Sequence, residues 1–447
     1  MEIGFEDTEF EDLEDLEEIG EMVATPEERL LDSIGPTRVV RIKKHQDMVG
    51  RFLGKGKKSN ATVIKPVYYG ELLAWALHRL IEEDGWRVVR TLPYNRPSPR
   101  YIDVATGCGK SENLLRDGTL LLAKGPERLA VTIELDFHGR HSLVAAGLAA
   151  KESAVKEFAA GIEKVCQEQN FYRGKKLAFH GRIEFFDVPD RTWDSIALDE
   201  TVKEEIKANT TGFLADSERL GRYGIPARRG VLLVGEPGTG KTLICKALIS
   251  NSEGITCLVA NNHLVEQGEF IVALYELAQD LSLCIVFIED IDLIGQKRLE
   301  SGTGAALMTL LSIMDGVEEQ KQVVTVATTN YLEILDKALG QRPSRFDRII
   351  ELSLPGLDDR RKLVAALCRK ALIGEETQEC IARLTENQTP AQVQEVVYSL
   401  VIKHVRNNGK EDPAEFKFSR EEVECAIKRI RNGNGRQTGF SPAKGAK

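Results

Sequence analysis

Three short runs in the second half of the chain are apolar, the first two without interruption and the third broken only by Thr325: residues 231–234 (Val-Leu-Leu-Val), 283–288 (Leu-Cys-Ile-Val-Phe-Ile) and 323–327 (Val-Val-Thr-Val-Ala). Unbroken rather than alternating apolar character predicts strands buried on both faces, as in a parallel sheet covered by helices. The first half reads differently. Leu72, Leu73, Ala76, Leu77, Leu80 and Ile81 recur at helical spacing and Gly85 closes the pattern, which predicts a helix over 69–84. Residues 119–123 and 128–137 flank Lys-Gly-Pro-Glu, and the second run alternates apolar with polar, predicting a β-hairpin. A helix over 149–169 follows, with Ala154, Phe158, Ile162 and Val165 on one face. After Leu354-Pro355-Gly356, helical patterns occupy 358–373, 375–385, 390–407 and 420–431; Thr389 is a good N-cap and Pro390 a good first helical residue.

These patterns divide the 447 residues into a tail over 1–65, a small α+β domain over 66–172, a linker over 173–189, an α/β core over 190–354, a helical unit over 355–431 and a Gly-rich basic tail over 432–447. The net charge of −9 conceals an asymmetry: residues 1–21 carry eleven carboxylates and no Lys or Arg, leaving the rest at +2. Like-charge repulsion and sparse apolar residues predict disorder for the acidic stretch, in which Phe5, Phe10, Leu13, Leu16 and Ile19 alternate with acids. A basic stretch follows, with Arg38, Arg41, Lys43, Lys44, Arg51, Lys55, Lys57 and Lys58. The near-neutral body argues against nucleic acid as partner. No apolar run reaches the roughly 18 to 20 residues that span a bilayer, and the N-terminus lacks a signal-peptide pattern, so a cytoplasmic protein is expected. The eight cysteines include no C-x-x-C pair, which predicts buried free thiols.

The chemistry concentrates after the first buried strand. Gly235-Glu236-Pro237-Gly238-Thr239-Gly240-Lys241-Thr242 fits G-x-x-x-x-G-K-[ST], with Leu243 opening the following helix. Glycines there let successive N–H groups turn inward as an anion cradle at a positive helix N-terminus, Lys241 adds a full charge for the β and γ phosphates, and the Thr242 hydroxyl is the expected Mg²⁺ ligand. The second buried strand ends in Glu289-Asp290-Ile291-Asp292. Of these acids one is expected to orient a Mg²⁺-ligating water and another to polarise the attacking water. The third ends in Thr328-Thr329-Asn330, where the Asn330 amide is placed to hold that water. Gly107-Cys108-Gly109-Lys110-Ser111 imitates part of a second phosphate loop, but Val104 stands where its first glycine belongs, and it reads as a surface loop. Asp136, His138 and His141 read as a turn.

Over about residues 190–430 this succession resembles the AAA family of ATPases, within the wider AAA+ group. The matches occur in order: phosphate loop, 288–295 (Ile-Glu-Asp-Ile-Asp-Leu-Ile-Gly), Met314-Asp315-Gly316, Thr329-Asn330 and 342–348 (Arg-Pro-Ser-Arg-Phe-Asp-Arg). The resemblance implies a P-loop NTPase core with a helical lid, ATP and Mg²⁺ as cofactors, Ile196 and Ala197 beside the nucleotide, and a homo-oligomeric ring, usually a hexamer, with ATP between subunits. It further implies that Asp290 polarises the water, Glu289 holds Mg²⁺ through water, Asn330 is the sensor 1 residue, and Arg342 and Arg345 are arginine fingers. For Arg348 an ion pair with Asp347 or Glu351 is expected instead. The acids stand in the order Glu-Asp rather than Asp-Glu, as in the AAA chaperones that assemble respiratory complex III. The loop 261–268 lacks the aromatic-glycine step with which many AAA unfoldases grip a threaded chain, and no arginine stands at the start of the helix after Thr389 for a sensor 2 role. The expected function is ATP-driven remodelling of a protein client held by the N-terminal domain; a nucleic-acid motor or loader and an ATP-gated scaffold are the alternatives.

Overall fold

A computed structural model describes residues 36–107, 109–135, 140–193, 196–260, 267–292, 305–315, 322–332, 346–408 and 416–433. The order begins α1 (Pro36–Leu53), β1 (Lys58–Lys65), α2 (Gly70–Glu83), β2 (Arg87–Leu92), β3 (Arg100–Gly107), β4 (Lys110–Lys124), β5 (Glu127–Leu135), β6 (His141–Leu148) and α3 (Glu152–Glu168). These strands form one antiparallel sheet in the order β1-β6-β5-β4-β2, with β3 pairing the first half of the long β4. Strand alternation sends Leu120, Leu122, Leu129, Val131, Ile133 and Leu143 to one face, where α2 and α3 pack with Leu73, Leu77, Phe158 and Ile162. Leu121 and Ala130 point the other way and are covered by Leu53, Met48 and Phe52 of α1.

Two expectations change here. Residues 36–65, read as part of a tail, are a helix and an edge strand: β1 pairs with β6 from Lys58↔Leu148 to Lys65↔His141. Among the described residues the apolar contacts of α1 come from its last two turns, after a run of cations, and the apolar residues of β1 are diluted by Ser59, Asn60 and Thr62, so neither shows a strong period. The loop expected at 107–111 is the turn of a hairpin, in which Gly107 faces Lys110 and Asp103 faces Asn113. Cys108, Asp136 and His138 lie outside the described residues, whereas His141 starts β6 and is buried.

The second half contains β7 (Lys176–Phe179), β8 (Ile183–Phe185), α4 (Glu200–Asn209), the short α5 (Thr211–Ala215) and α6 (Ser217–Gly221), β9 (Arg228–Val234), α7 (Lys241–Ser250), β10 (Thr256–Ala260), α8 (Gly268–Asp280), β11 (Cys284–Ile288), α9 (Ala305–Asp315), β12 (Val323–Thr329) and β13 (Arg348–Glu351). Its sheet runs β13-β9-β12-β11-β10-β7-β8 and is parallel except for β8. The predicted linker is therefore part of this sheet: β7 pairs with β10 from Lys176↔Cys257 to Phe179↔Ala260. The predicted helical unit is α10 (Leu357–Ala371), α11 (Glu375–Leu384), α12 (Pro390–Asn408) and α13 (Arg420–Gly433) around Val364, Ile381, Val396 and Val423. Among the described residues no helix is long and apolar enough to cross a membrane.

The two sheets share one apolar cluster. Tyr68, just before α2, meets Phe179 edge-on at 5.5 Å, and Phe179 stacks on Phe270 of α8 at 5.0 Å. Tyr172 stacks on Phe185 at 5.5 Å and its hydroxyl donates to Glu71 at 3.3 Å. Burial raises the Glu71 carboxyl above its usual range, opposed by that hydrogen bond.

Gly70 opens α2 against His141: a methyl there would lie 2.1 Å from the ring Nε2, inside a side chain that is 1% exposed. Gly70→Ala gains helix propensity but overpacks a site with no room, so urea unfolding is expected to show a loss of about 1–3 kcal/mol. Gly161→Ala on α3, where the neighbours are the terminal methyls of Leu80 at 3.1 Å and can turn aside by a few tenths of an ångström, is expected to be near neutral.

Candidate functional site

Register decides what meets at the end of the parallel sheet. Val234 pairs with Thr329 and Ile288 with Ala327, so the residues that follow β9, β11 and β12 emerge side by side at one edge. After β9 comes the phosphate loop, with Gly238 and Gly240 at φ 87° and 101° and α7 beginning at Lys241. Lys241 is buried, and its ammonium donates to the carbonyls of Gly235 at 2.7 Å and Glu236 at 3.1 Å. Burial lowers its pKa, against the pull of Asp290 and Asp292. Thr239, also buried, donates its hydroxyl to the Glu236 carbonyl at 2.9 Å, tightening the turn through Pro237.

The acids close the other side. The Thr242 hydroxyl donates to Glu289 Oε2 at 2.9 Å, which puts an alcohol and a carboxylate oxygen together at the mouth of the loop. Asp290 adopts φ 49°, a left-handed conformation that Asp tolerates better than most residues. Its N–H donates to Thr328 Oγ1 at 3.0 Å and its carboxylate accepts from the Asn330 amide at 3.4 Å. The site thus brings Lys241, Thr242, Glu289, Asp290 and Asn330 together. Ile196 lies in the core cluster with Ile206 and Phe213, while Ala197 beside it is half-buried; Leu243 packs partly against the same cluster. Arg342 and Arg345 lie outside the described residues, as do residues 261–266 of the loop after β10. Arg348 pairs with Glu205 of α4 rather than with Asp347 or Glu351, because Asp347 turns inward to accept the Gly230 N–H at 2.6 Å.

Two features escape a reading of the residues alone. Asp292 is 3% exposed and accepts from the Thr329 hydroxyl at 2.9 Å and the Asn330 N–H at 3.2 Å. The only signal for it in the sequence is an acid set between Ile291 and Leu293, which does not distinguish a buried support from a reacting group. The second is the helical unit over the loop. Ala391 donates its N–H to the Gly238 carbonyl at 3.2 Å, and a methyl on Gly238 would come within 2.9 Å of the Ala391 Cβ. Thr389 and Gln392 exchange reciprocal hydrogen bonds of 2.9 and 3.3 Å, capping α12 where it touches the loop.

The donor set suits a magnesium nucleotide. A buried ammonium that donates to carbonyls of its own loop is a position for phosphate oxygens, and a hydroxyl paired with a carboxylate supplies the hard oxygen ligands that Mg²⁺ prefers.

Residues 231–354 match the family described as "ATPase family associated with various cellular activities (AAA)". The chain is 36% identical over 250 residues to the ATP-dependent zinc metalloprotease FtsH of Acidothermus cellulolyticus, covering 53% of this chain and 37% of that protein. It is 32% identical over 231 residues to the proteasome-activating nucleotidase of Methanosarcina mazei, covering 49% and 54%. With the proteasome-activating nucleotidase of Methanospirillum hungatei it shares 32% identity over 260 residues, covering 55% and 63%. The chain thus spans 37% to 63% of the length of these relatives.

If Asp292 sets the position of Asn330, Asp292→Ala is expected to leave binding of a fluorescent ATP analogue within about threefold while lowering phosphate release at least about tenfold, since small misplacements of a reacting group cost that much. Asp292→Asn, which keeps one acceptor oxygen, is expected to recover most of the loss. Unchanged release by Asp292→Ala contradicts the assignment.

Proposed function

We propose that this chain, whose residues 231–354 form an AAA-family ATPase domain with ATP and Mg²⁺ as its cofactors, hydrolyses ATP to remodel or assemble protein clients. The observation that carries the reading is the contact between Thr242 and Glu289 at 2.9 Å, which joins the phosphate loop to the acids of β11 in one site. In this proposal Lys241 offsets the charge of the β and γ phosphates, and Thr242 with Glu289 holds the metal, the latter through water. Mg²⁺ supplies charge stabilisation to the transferring phosphoryl group when bound. Asp290 takes the proton of the attacking water and Asn330 fixes that water's orientation.

The proposal extends to a homo-oligomeric ring, a hexamer working in the cytoplasm, with the nucleotide between neighbouring subunits. Arg342 and Arg345 then reach the γ-phosphate held by the next copy, where such a charge contributes about 10³ to 10⁵ in rate. The names of the FtsH and proteasome-activating relatives support a protein client over nucleic acid. The Glu-Asp order of Glu289 and Asp290, and the missing aromatic-glycine step, support a proposed mode of action like that of the chaperones that assemble respiratory complex III over processive threading. The N-terminal sheet, joined to the core through Tyr68, Phe179 and Phe270, is the proposed client-holding unit.

Lys241→Ala is expected to abolish nucleotide binding. Arg345→Ala is expected to bind ATP within about threefold of the unsubstituted chain and to lose turnover, given the size of the effect such a charge exerts. In mixtures with the unsubstituted chain, activity is expected to fall faster than the fraction of variant added. A strictly proportional fall contradicts the action of the arginine across a subunit boundary.

A further inference from the structure

The N-terminal domain carries a cluster of exposed cations that no ion pair neutralises among the described residues. Residues 36–65 contain nine Lys or Arg and one carboxylate, Asp47. Lys43, Lys44 and Arg51 on α1, Lys55 and Lys57 in the turn, Lys58 at the start of β1, and Arg128 on β5 are all exposed. Packing of α1 on the sheet gathers them. A methyl on Gly50 would lie 3.3 Å from the Lys58 ammonium, and the Arg128 guanidinium sits 5.2 Å from the centre of the Phe52 ring. Among the described residues no ion pair joins any of the seven to a carboxylate. The helical unit shows the contrast: Arg361 and Arg383 share Glu379, Lys403 meets Glu422, and Arg420 meets Glu424.

The chain holds the complementary charge immediately before this face. Residues 1–35 contain fourteen carboxylates and one cation, Arg29, and run directly into α1 at Pro36. At up to about 3.3–3.6 Å per extended residue, the fourteen residues between 21 and 36 are ample to bring the acids back over a helix about 27 Å long, at about 1.5 Å per residue. Tethering raises the local concentration of the tail at this face to about the millimolar range.

We propose that residues 1–21 dock on the basic face formed by α1, the turn after it, the start of β1 and Arg128, as an intramolecular polyanion. Docked there, the acids neutralise the face and keep nucleic acid and anionic lipid away from the N-terminal domain. The apolar residues Phe5, Phe10, Leu13, Leu16 and Ile19 travel with the acids and leave the face when they do. Because the attraction is between exposed charges, added salt weakens it.

Zero-length carbodiimide cross-linking of the full chain, read by mass spectrometry, tests this directly. The expected links join carboxylates of residues 1–21 to Lys43, Lys44, Lys55, Lys57 and Lys58 at low salt, and fade at about 0.5 M salt as the screening length shortens. Links spread over lysines of the whole surface, or none to these five, overturn the proposal. A second readout uses a fluorescent 30-base-pair DNA duplex and phosphatidylserine vesicles as probes. A full chain with the eleven carboxylates of residues 1–21 changed to amides is expected to bind both at least tenfold more tightly than the unsubstituted chain, and adding Lys43→Glu, Lys44→Glu and Arg51→Glu is expected to remove that gain. Equal binding by the unsubstituted and amide-bearing chains shows an open face and overturns the proposal.

Discussion

A single buried carboxylate ties the reacting end of the sheet together. At 3% exposure Asp292 has to be matched by donors, since an unpaired buried charge is far more costly than a paired one. It finds them in the Thr329 hydroxyl and the Asn330 N–H, both at the end of β12. The return link runs from the Asp290 N–H to Thr328 Oγ1 and from the Ile291 N–H to the Thr328 carbonyl. The ends of β11 and β12 are thus cross-braced, and Asp290 and Asn330 are held as one unit opposite the phosphate loop. Preorganisation of this kind lets polar groups act on developing charge without rearranging first.

Two further connections carry the state of that unit outward. On one side α12 begins against Gly238, so any movement of the phosphate loop is felt by the four-helix unit through the Ala391 hydrogen bond. On the other, Phe270 of α8 continues through Phe179 to Tyr68 at the entrance to α2. Domains joined by small polar contacts move independently, whereas an apolar, close-packed junction makes the antiparallel sheet follow the parallel one. Glu71, held partly out of water beside Tyr172, belongs to the same junction.

The parts visible in the sequence are those whose burial leaves a period or a run. β11 and the second half of β9 are largely buried, unbroken apolar runs, β12 is buried along its length with threonines as its only polar members, and α10 to α13 carry stripes at helical spacing. β7 and β8 are short strands at one end of the sheet, with β8 at its edge, and their buried positions alternate with exposed or half-exposed ones, so 173–189 resembles a connector. α1 hides because cations crowd its sequence, and among the described residues its apolar packing on the sheet comes from Met48, Val49, Phe52 and Leu53 near its end. Within the site, the phosphate loop and the acids are fixed by spacing alone. The support given by Asp292 is not, because only pairing of β11 with β12 shows that its carboxylate points into protein rather than at solvent.

On the proposed function Asp290, aligned by Thr328 and Asn330, accepts the proton of the attacking water. The most direct measurement is phosphate release from Mg-ATP by Asp290→Asn beside its affinity for ATP, an exchange that removes the charge and keeps the shape. Affinity is expected to stay within about threefold and release to fall at least about a hundredfold, within the range that general-base catalysis contributes. Release at the unsubstituted rate, with binding intact, contradicts it.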